Sequence, residues 1–200
     1  IPEQILTEIL QFCASKKIRV VADECFLRFH PHYEKMSCKR FLKQYPNLLI
    51  VNAFTKFYAM AGLRLGYLMT GDLSLLHAVA QQLPEWNVSS IAQRAGISAL
   101  QDTEYEKQTR QLIEKERRYL IQEFLKMGCT VFPSEADYIT FRLPQEKTGF
   151  LLKERLLEGK ILIRSCANYR NMPPDCYRIA VKQHADNEEL VRQVWRILIQ

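Results

Sequence analysis

Two short apolar runs constrain the fold of this chain more than any other feature. They are I-R-V-V-A at 18–22 and L-L-I-V-N at 48–52, and a third run, L-G-Y-L-M-T, follows at 65–70. Their apolar residues are mostly consecutive rather than alternating with polar ones, which is typical of strands covered on both faces. We therefore predict three strands, the first of them fully buried, in a parallel or mixed sheet with helices on both faces.

Helical patterns surround these strands. Residues 2–16 place apolar side chains at helical spacing, and residues 38–45 form a second predicted helix that ends before Pro46. Further helices are predicted at 72–83, 89–101 and 104–127.

The order of the elements changes after Gly128, which is expected to cap the end of the long helix. Strand, strand, helix, strand, strand and helix are then predicted at 129–133, 137–143, 147–157, 161–164, 176–182 and 186–199. This order is that of an α+β domain with its own small sheet. The predicted organisation is an α/β portion at 1–103, a long linking helix at 104–128 and a small α+β domain at 129–200.

The composition argues against several classes of protein. Of the 200 residues 48% are hydrophobic, which is enough for a substantial core, and no apolar run approaches the ~20 residues that span a bilayer. The net charge of +6 comes from basic residues interleaved with acidic ones along predicted helices, a pattern that does not favour nucleic-acid binding. The sequence thus predicts neither a membrane protein nor a nucleic-acid-binding one.

The six cysteines have no C-x-x-C spacing, and most stand beside apolar residues. This favours buried, reduced thiols in a cytoplasmic protein over a disulfide scaffold. His30 and His32 lack a cysteine or acid at ligand spacing, so we expect no metal site.

Three residues follow or precede the predicted strands and can carry chemistry. Asp23 ends the first strand, Lys56 comes shortly after the second, and Arg64 precedes the third. Each has an ordinary explanation by itself: a helix cap or loop acid, a surface lysine, and one of many Arg-Gly pairs. Together, at adjacent strand ends, they supply what pyridoxal phosphate needs: an acid for the ring nitrogen, an amine for the aldehyde, and a guanidinium for the phosphate.

The motifs around these residues resemble those of fold-type I pyridoxal-phosphate enzymes, the aspartate aminotransferase superfamily. T-K-F-Y-A-M-A-G-L-R-L-G-Y at 55–67 is similar to the family's lysine signature, and V-A-D-E-C-F at 21–26 to its D-E-x-aromatic block. S-E-A-D-Y-I-T, I-L-I-R-S-C-A-N-Y-R and Y-R-I-A-V at 134–140, 161–170 and 177–181 continue the family's order.

This resemblance implies a fold, a cofactor and a set of binding residues. The fold is the C-terminal part of a large domain, with a mixed, mostly parallel sheet, plus the small α+β domain; the chain resembles the C-terminal half of such an enzyme. The cofactor is pyridoxal 5′-phosphate, with Lys56 as the catalytic amine. The cofactor-binding residues are Asp23, Phe26, Thr55, Lys56 and Arg64. A homodimer is implied for the full-length enzyme.

Two groups within the family have the most similar patterns: the threonine-phosphate decarboxylases and the histidinol-phosphate aminotransferases. The aminotransferases usually have tyrosine in the D-E-x-aromatic block, where this chain has Phe26. The run around Arg164, R-S-C-A-N-Y-R, resembles the R-D-C-x-N-Y-R run of the decarboxylases. Ser165 and Asp137 depart from the expected Asp and Asn and leave the substrate open.

The resemblance also suggests residues that bind a small phosphorylated amino-acid substrate. Arg178 stands where the family binds the substrate carboxylate, and Arg164 and Arg170 are candidates for the substrate phosphate, although Arg170 is equally well explained as a solvated loop residue. Asn168 and Tyr169 are expected to line the site.

The implied reaction is decarboxylation of L-threonine O-3-phosphate to an aminopropanol phosphate in cobalamin biosynthesis, with a histidinol-phosphate-type aminotransferase as the alternative. A hypothesis of another class is that the 200-residue chain alone is a non-catalytic fragment. In that case we expect weak or no cofactor binding, because the family's glycine-rich phosphate loop precedes the matched motifs.

Overall fold

The computed structural model describes residues 1–147 and 151–199, which form two compact units, Ile1–Tyr105 and Glu106–Gln200. Most of the long predicted helix groups with the second unit. The assignment of 104–128 as a link between two domains stays a prediction.

The first unit contains the three predicted strands and three longer helices. In chain order they are α1 (Glu3–Ser15), β1 (Val20–Asp23), the short α2 (Tyr33–Met36), β2 (Leu48–Ala53), β3 (Gly66–Thr70), α3 (Leu73–Gln82) and α4 (Ser90–Gln101). Asp72 and Ser89 start α3 and α4 as N-caps: the side chain of each accepts a hydrogen bond from a backbone N–H three residues on. The predicted helices at 2–16, 72–83 and 89–101 are confirmed.

The sheet of the first unit is mixed, in the order β1-β2-β3. β1 runs parallel to β2, with Asp23 opposite Val51, and β3 runs antiparallel to β2, with Gly66 opposite Ala53. The C-terminal ends of β1 and β2 and the N-terminal end of β3 therefore meet at one edge of the sheet.

The core of the first unit lies between α1 and the strands β1 and β2. Leu10 of α1 is fully buried against Leu48 and Ile50, and the cluster is completed by Cys38, Phe41 and Tyr45. Three consecutive residues of β2 are buried, as its unbroken apolar run predicted.

The prediction of full burial is wrong for β1. Its residues alternate between partly buried and exposed, and Val21 is 60% exposed. Val20 and Ala22 pack against the cluster, but the opposite face of the strand lies open in this chain.

The prediction of a helix at 38–45 is also wrong. Cys38–Phe41 is a short 3₁₀ helix, and turns follow it. Ser37 caps this segment by accepting a hydrogen bond from the Lys39 N–H, and buried Glu24 accepts from the Cys38 N–H. These two side-chain bonds, one local and one to a residue 14 positions earlier, satisfy backbone N–H groups over one short helical stretch.

The described residues of the second unit contain a four-stranded antiparallel sheet and three longer helices, the first of which begins three residues before the unit. They are α5 (Thr103–Lys126), β4 (Thr130–Val131), β5 (Tyr138–Arg142), α6 (Leu152–Glu158), β6 (Arg164–Ser165), β7 (Cys176–Ala180) and α7 (His184–Ile199). The strand order is β4-β5-β7-β6. Phe124 of α5 packs on Phe141 of β5 with ring centroids 4.3 Å apart, and both rings are fully buried.

The ends of these elements differ in places from the prediction. Gly128 ends α5 with φ +79°, as expected for a residue that follows a helix in the left-handed conformation. The helix predicted at 147–157 is described only from Leu152, and its residues 148–150 lie outside the described part of the chain. The strand predicted at 161–164 is displaced to Arg164–Ser165.

A buried carboxylate lies where α7 packs on α5. Glu116 of α5 is 1% exposed, and its Oε2 accepts hydrogen bonds from Asn187 Nδ2 (3.0 Å) and is 3.0 Å from His184 Nδ1. Asn187 also bonds both the N–H and the C=O of Lys182. The start of α7 is thus joined to α5 by one polar network.

Among the described residues, no helix combines the length and the apolar character that crossing a bilayer requires. Four of the six cysteines are buried and the other two are partly buried, as expected, and all six are free thiols.

Candidate active site

Three of the predicted site residues come together at one edge of the first sheet. Asp23 is the last residue of β1, Lys56 follows β2 by three residues, and Arg64 precedes β3 by two. Because β1 is parallel and β3 antiparallel to β2, all three belong to the same edge. The sequence analysis placed all three at adjacent strand ends, and the antiparallel pairing of β3 is what brings its N-terminal end, with Arg64, to this edge.

Asp23 is an exposed carboxylate held by the residue two positions on. Hydrogen bonds from the Cys25 thiol and from the Cys25 backbone N–H, whose nitrogen lies 3.0 Å from Asp23 Oδ1, hold the pKa of Asp23 below its ordinary value, against slight desolvation. Burial, together with the neighbouring carboxylate, raises the pKa of the Cys25 thiol to about 11. Near neutral pH, Asp23 is therefore an anion beside a neutral thiol.

The next residue, Glu24, is buried on the other side of the chain. Its two carboxylate oxygens accept hydrogen bonds from Ser37 Oγ (2.9 Å) and the Cys38 N–H (2.7 Å). Adjacent residues at the end of a strand point in opposite directions, so Glu24 fixes the following segment while Asp23 stays accessible.

Lys56 is exposed, although the residues that follow it are not. Its Nζ lies 5.6 Å from the centre of the Phe26 ring, a cation–π distance, while Phe57 and Tyr58 are 2% and 8% exposed. These two aromatic side chains therefore pack in the interior beneath the loop. Thr55 is partly buried beside them. The loop is thus anchored by its aromatic side chains and presents the lysine amine outward.

Arg64 has a left-handed backbone conformation, with φ +53°, at the end of the 3₁₀ helix Ala61–Leu63. Its side chain is exposed, and Nη1 donates to the Ala61 carbonyl oxygen at 3.1 Å. A Cβ on Gly66 would lie 3.0 Å from the Asn52 carbonyl oxygen, so a larger residue would crowd the backbone where β3 approaches β2.

These groups fit pyridoxal phosphate in their chemistry. A carboxylate that stays ionised suits a protonated pyridine nitrogen, an accessible amine suits an aldehyde, and an exposed guanidinium suits a phosphate. The residues that would hold the cofactor are Asp23, Lys56 and Arg64, with Phe26 beside the amine.

In the second unit, two predicted site arginines stand opposite each other across strands. Arg164 of β6 pairs with Arg178 of β7, and Arg178 also pairs with Thr140 of β5. The Arg178 guanidinium lies 4.8 Å from the centre of the Tyr138 ring. Directly opposite residues share one face of a sheet, so two positive charges are neighbours here.

The remaining predicted residues of this unit follow β6. Arg164 Nη2 donates to Asn168 Oδ1 at 3.4 Å, and its guanidinium lies 5.7 Å from the centre of the Tyr169 ring. Asn168, Tyr169 and Arg170 are all exposed. The structure therefore groups Arg164 with Asn168, Tyr169 and Arg178, and Arg170 lies in the same exposed segment.

Sequence reasoning missed the residues that hold the Lys56 loop. Arg28 donates through Nη1 to the Tyr58 hydroxyl, and the Tyr105 hydroxyl donates to the Phe57 carbonyl oxygen at 3.1 Å. Arg28 is 30 positions away from Tyr58, and Tyr105 is 48 from Phe57. No local pattern in the sequence marks such pairs.

Comparison with known proteins shows the family to which the chain is related. The family model "Aminotransferase class I and II" matches residues 1–194. The threonine-phosphate decarboxylase of Salmonella typhimurium is 35% identical over 200 residues, which cover 99% of this chain and 54% of that protein. The chain thus spans about half the length of the curated relatives it matches.

Solved structures resemble the chain along its whole length. The histidinol-phosphate aminotransferase of Clostridium acetobutylicum superposes with a TM-score of 0.92 at 30% identity, covering 100% of this chain and 60% of that one. The histidinol-phosphate aminotransferase of Sinorhizobium meliloti, solved in complex with pyridoxal-5′-phosphate, gives 0.85 at 21% identity over 96% of this chain and 53% of its own. At that identity the second likeness shows the fold alone.

Proposed function

We propose, on the premise that the chain belongs to the aminotransferase class I and II family, that the whole protein is a pyridoxal-phosphate-dependent enzyme acting on a small phosphorylated amino acid. The substrate we propose is L-threonine O-3-phosphate, and the reaction its decarboxylation to an aminopropanol phosphate, a step of cobalamin biosynthesis. We further propose a cytoplasmic homodimer.

The observation that carries the proposal is the edge formed by Asp23, Lys56 and Arg64. An ionised acid, an accessible amine and an exposed guanidinium converge on it from three strand ends. Open α/β sheets bind their ligands beyond the carboxyl ends of their strands, and these three groups lie at that place.

Each residue at this edge has a role derived from its own chemistry. Pyridoxal phosphate, when bound, supplies an electron sink for the pair of electrons left by bond cleavage at the substrate Cα. Asp23 keeps a proton on the ring nitrogen, because its lowered pKa favours the carboxylate. The Lys56 amine would be the group that binds the aldehyde, and its nitrogen would be the one able to carry a proton close to the substrate Cα. Arg64 binds the phosphate.

The arginine pair of the second unit supports a substrate with two anionic groups. Two like charges directly opposite each other on a sheet repel, and an anion bound between them would relieve that repulsion. We assign the substrate carboxylate to Arg178 and its phosphate to Arg164, with Asn168 and Tyr169 beside the latter. A guanidinium presents paired donors that match both groups.

Two features support decarboxylation over transamination. Phe26 has no hydroxyl to donate to the cofactor, and a decarboxylase is 35% identical over nearly the whole chain. The alternative, a histidinol-phosphate-type aminotransferase, is supported by the TM-score of 0.92 to a solved enzyme of that kind.

The two reactions can be separated in one assay. The whole protein, loaded with pyridoxal phosphate, is given threonine phosphate with and without a keto acid acceptor, and CO₂ is measured. Decarboxylation predicts CO₂ in both arms. Release of no CO₂, with turnover that needs the acceptor, would support the aminotransferase.

The same cofactor tests the hypothesis that the 200-residue chain alone is non-catalytic. An absorbance titration of the chain with pyridoxal phosphate is expected to show weak or no binding. Tight, saturable binding would contradict this expectation and place most of the cofactor affinity within these residues.

A further inference from the structure

We infer that Arg28 is a positioning residue for Lys56: it fixes the lysine loop against the segment that carries Asp23. The inference rests on the proposed function, because it concerns the amine that we assign to the cofactor. It begins from the contacts of Arg28, which follows the D-E-C-F block in the 3₁₀ helix Leu27–Phe29.

The Arg28 guanidinium lies among three aromatic rings. Its central carbon is 5.0 Å from the centre of the Tyr33 ring, 5.3 Å from that of Tyr58 and 6.0 Å from that of Phe57. Its Nη1 also donates a hydrogen bond to the Tyr58 hydroxyl. One side chain therefore holds the two residues that directly follow Lys56, by cation–π contact and by hydrogen bonding.

Ring packing connects the same two segments. Phe26 stacks on Phe29 at 6.5 Å, and Phe29 meets the edge of Phe57 at 5.1 Å. The segment from Asp23 to Tyr33 is thus joined to the Lys56 loop by two rings in series and by Arg28. Rotation of the loop would have to break both connections.

The backbone at Lys56 depends on these contacts. The Ala59 N–H donates to the Lys56 carbonyl oxygen at 3.0 Å, and Ala59 has a left-handed φ of +54°, which is strained for a residue with a Cβ. A turn of this kind persists only when its surroundings hold it. Buried Phe57 and Tyr58 do so, and Arg28 is the cation that fixes Tyr58.

The consequence is a fixed relation between two chemical groups. Asp23 lies five residues before Arg28, and Lys56 two before Tyr58, so Arg28 connects the anion and the amine through short stretches of backbone. A reactive amine must be held to within about 0.5 Å of its productive position. Without Arg28, the amine is expected to sample a wider range of positions.

The test uses Arg28→Met, Arg28→Lys and Tyr58→Phe in the whole protein. Arg40→Met is the matched control, since Arg40 also lies over an aromatic ring (Phe41, 4.9 Å) and pairs with Glu3, away from the lysine loop. Two quantities are measured: deuterium exchange of the backbone amides at 54–60 without cofactor, and the mass added to Lys56 by pyridoxal phosphate with borohydride.

We expect Arg28→Met to speed amide exchange at 54–60 by about tenfold and to raise the half-saturating cofactor concentration for labelling of Lys56 by a similar factor. Tyr58→Phe, which removes a single oxygen atom, is expected to give a smaller change in the same direction. Arg28→Lys keeps the charge and should give values between those of Arg28→Met and the wild type. In the cofactor-loaded enzyme, Arg28→Met should lower kcat and leave KM nearly unchanged, because Arg28 does not bind the substrate.

Wild-type exchange and labelling in Arg28→Met, or equal changes in Arg40→Met, would overturn the inference. Should Arg28→Met melt at a much lower temperature, Tyr58→Phe decides by the same two measurements. A wild-type protein that takes no label on Lys56 overturns the proposed function, whereas the exchange experiment still decides for or against the restraint of the loop by Arg28.

Discussion

Asp23 in the first unit and Glu116 in the second are both carboxylates with a pKa below the ordinary value, and their surroundings are opposite. Asp23 is exposed at the end of a strand, and its donors are the thiol and the backbone N–H of Cys25. Glu116 is 1% exposed between two helices: burial raises its pKa, but hydrogen bonds from Asn187 and His184 outweigh that effect.

The comparison shows that a lowered pKa by itself does not identify a functional carboxylate. Oxygen Oε2 of Glu116 is occupied by partners that join α5 to α7, so its charge stabilises the fold. Asp23 keeps an accessible edge, so its charge is available to a ligand. Perturbed pKa values occur in both settings, and accessibility separates them.

The contrast between Asp23 and Glu116 has meaning only if the sheet edge that carries Asp23 and Lys56 binds a cofactor. Lys56→Ala is expected to abolish the absorbance band of protein-bound pyridoxal phosphate near the visible edge. It should lower activity by about 10³-fold or more, because the amine that binds the cofactor covalently is lost. Lys43→Ala, at another exposed lysine of the same unit, should change neither. Retention of the band in Lys56→Ala would remove Lys56 from its proposed role.

Asp23→Asn should lower kcat by about 10²–10³-fold, because the neutral amide no longer stabilises a proton on the ring nitrogen. The free energy of unfolding is expected to change by less than about 0.5 kcal/mol, since the side chain is exposed. Asp72→Asn is the matched control: Asp72 also has a lowered pKa, from hydrogen bonds with Ser74 and Leu75, but asparagine replaces it well as a helix cap. Equal losses of kcat in both variants would contradict the comparison.

Glu116→Gln should show the reverse pattern. Loss of the charge that His184 and Asn187 share is expected to lower the free energy of unfolding by about 2 kcal/mol, measured by denaturant titration. Activity per folded molecule should stay unchanged. Glu114→Gln, which removes an exposed pair with Arg118, should cost no more than about 0.5 kcal/mol.

Acid should reveal the Glu116 network. Because the folded pKa of Glu116 lies below its ordinary value of 4.5, the network contributes stability that is fully present above that value and lost as pH falls through the folded pKa. Denaturant midpoints measured from about pH 6 to about pH 3 should therefore fall in the wild type. The fall should be shallower in Glu116→Gln, and an unchanged slope would show that other carboxylates dominate.

Local patterns were sufficient where neighbours in sequence decide the structure. The apolar runs predicted β2 and β3. Asp72 starts a helix through its capping side chain, and Gly128 follows a helix end in the left-handed backbone conformation. The runs were not sufficient for β1, because burial of Val21 depends on what covers the far face of the sheet. The helical pattern at 38–45 was also misleading, since Glu24 and Ser37 accept hydrogen bonds from the first backbone N–H groups of a short 3₁₀ segment.

The sequence by itself determined which chemical groups are available: an acid, an amine and arginines, in motifs that run in a family's order. It also determined that Asp23 and Lys56 would reach the same edge, since the ends of neighbouring parallel strands meet there. Only the tertiary structure decided which charged groups are left accessible and which are enclosed. Arg28, Tyr105 and Glu116 contact partners that are 30, 48 and 68 or more positions away in the sequence. Such contacts form only when the chain folds, so no short stretch of sequence reveals them.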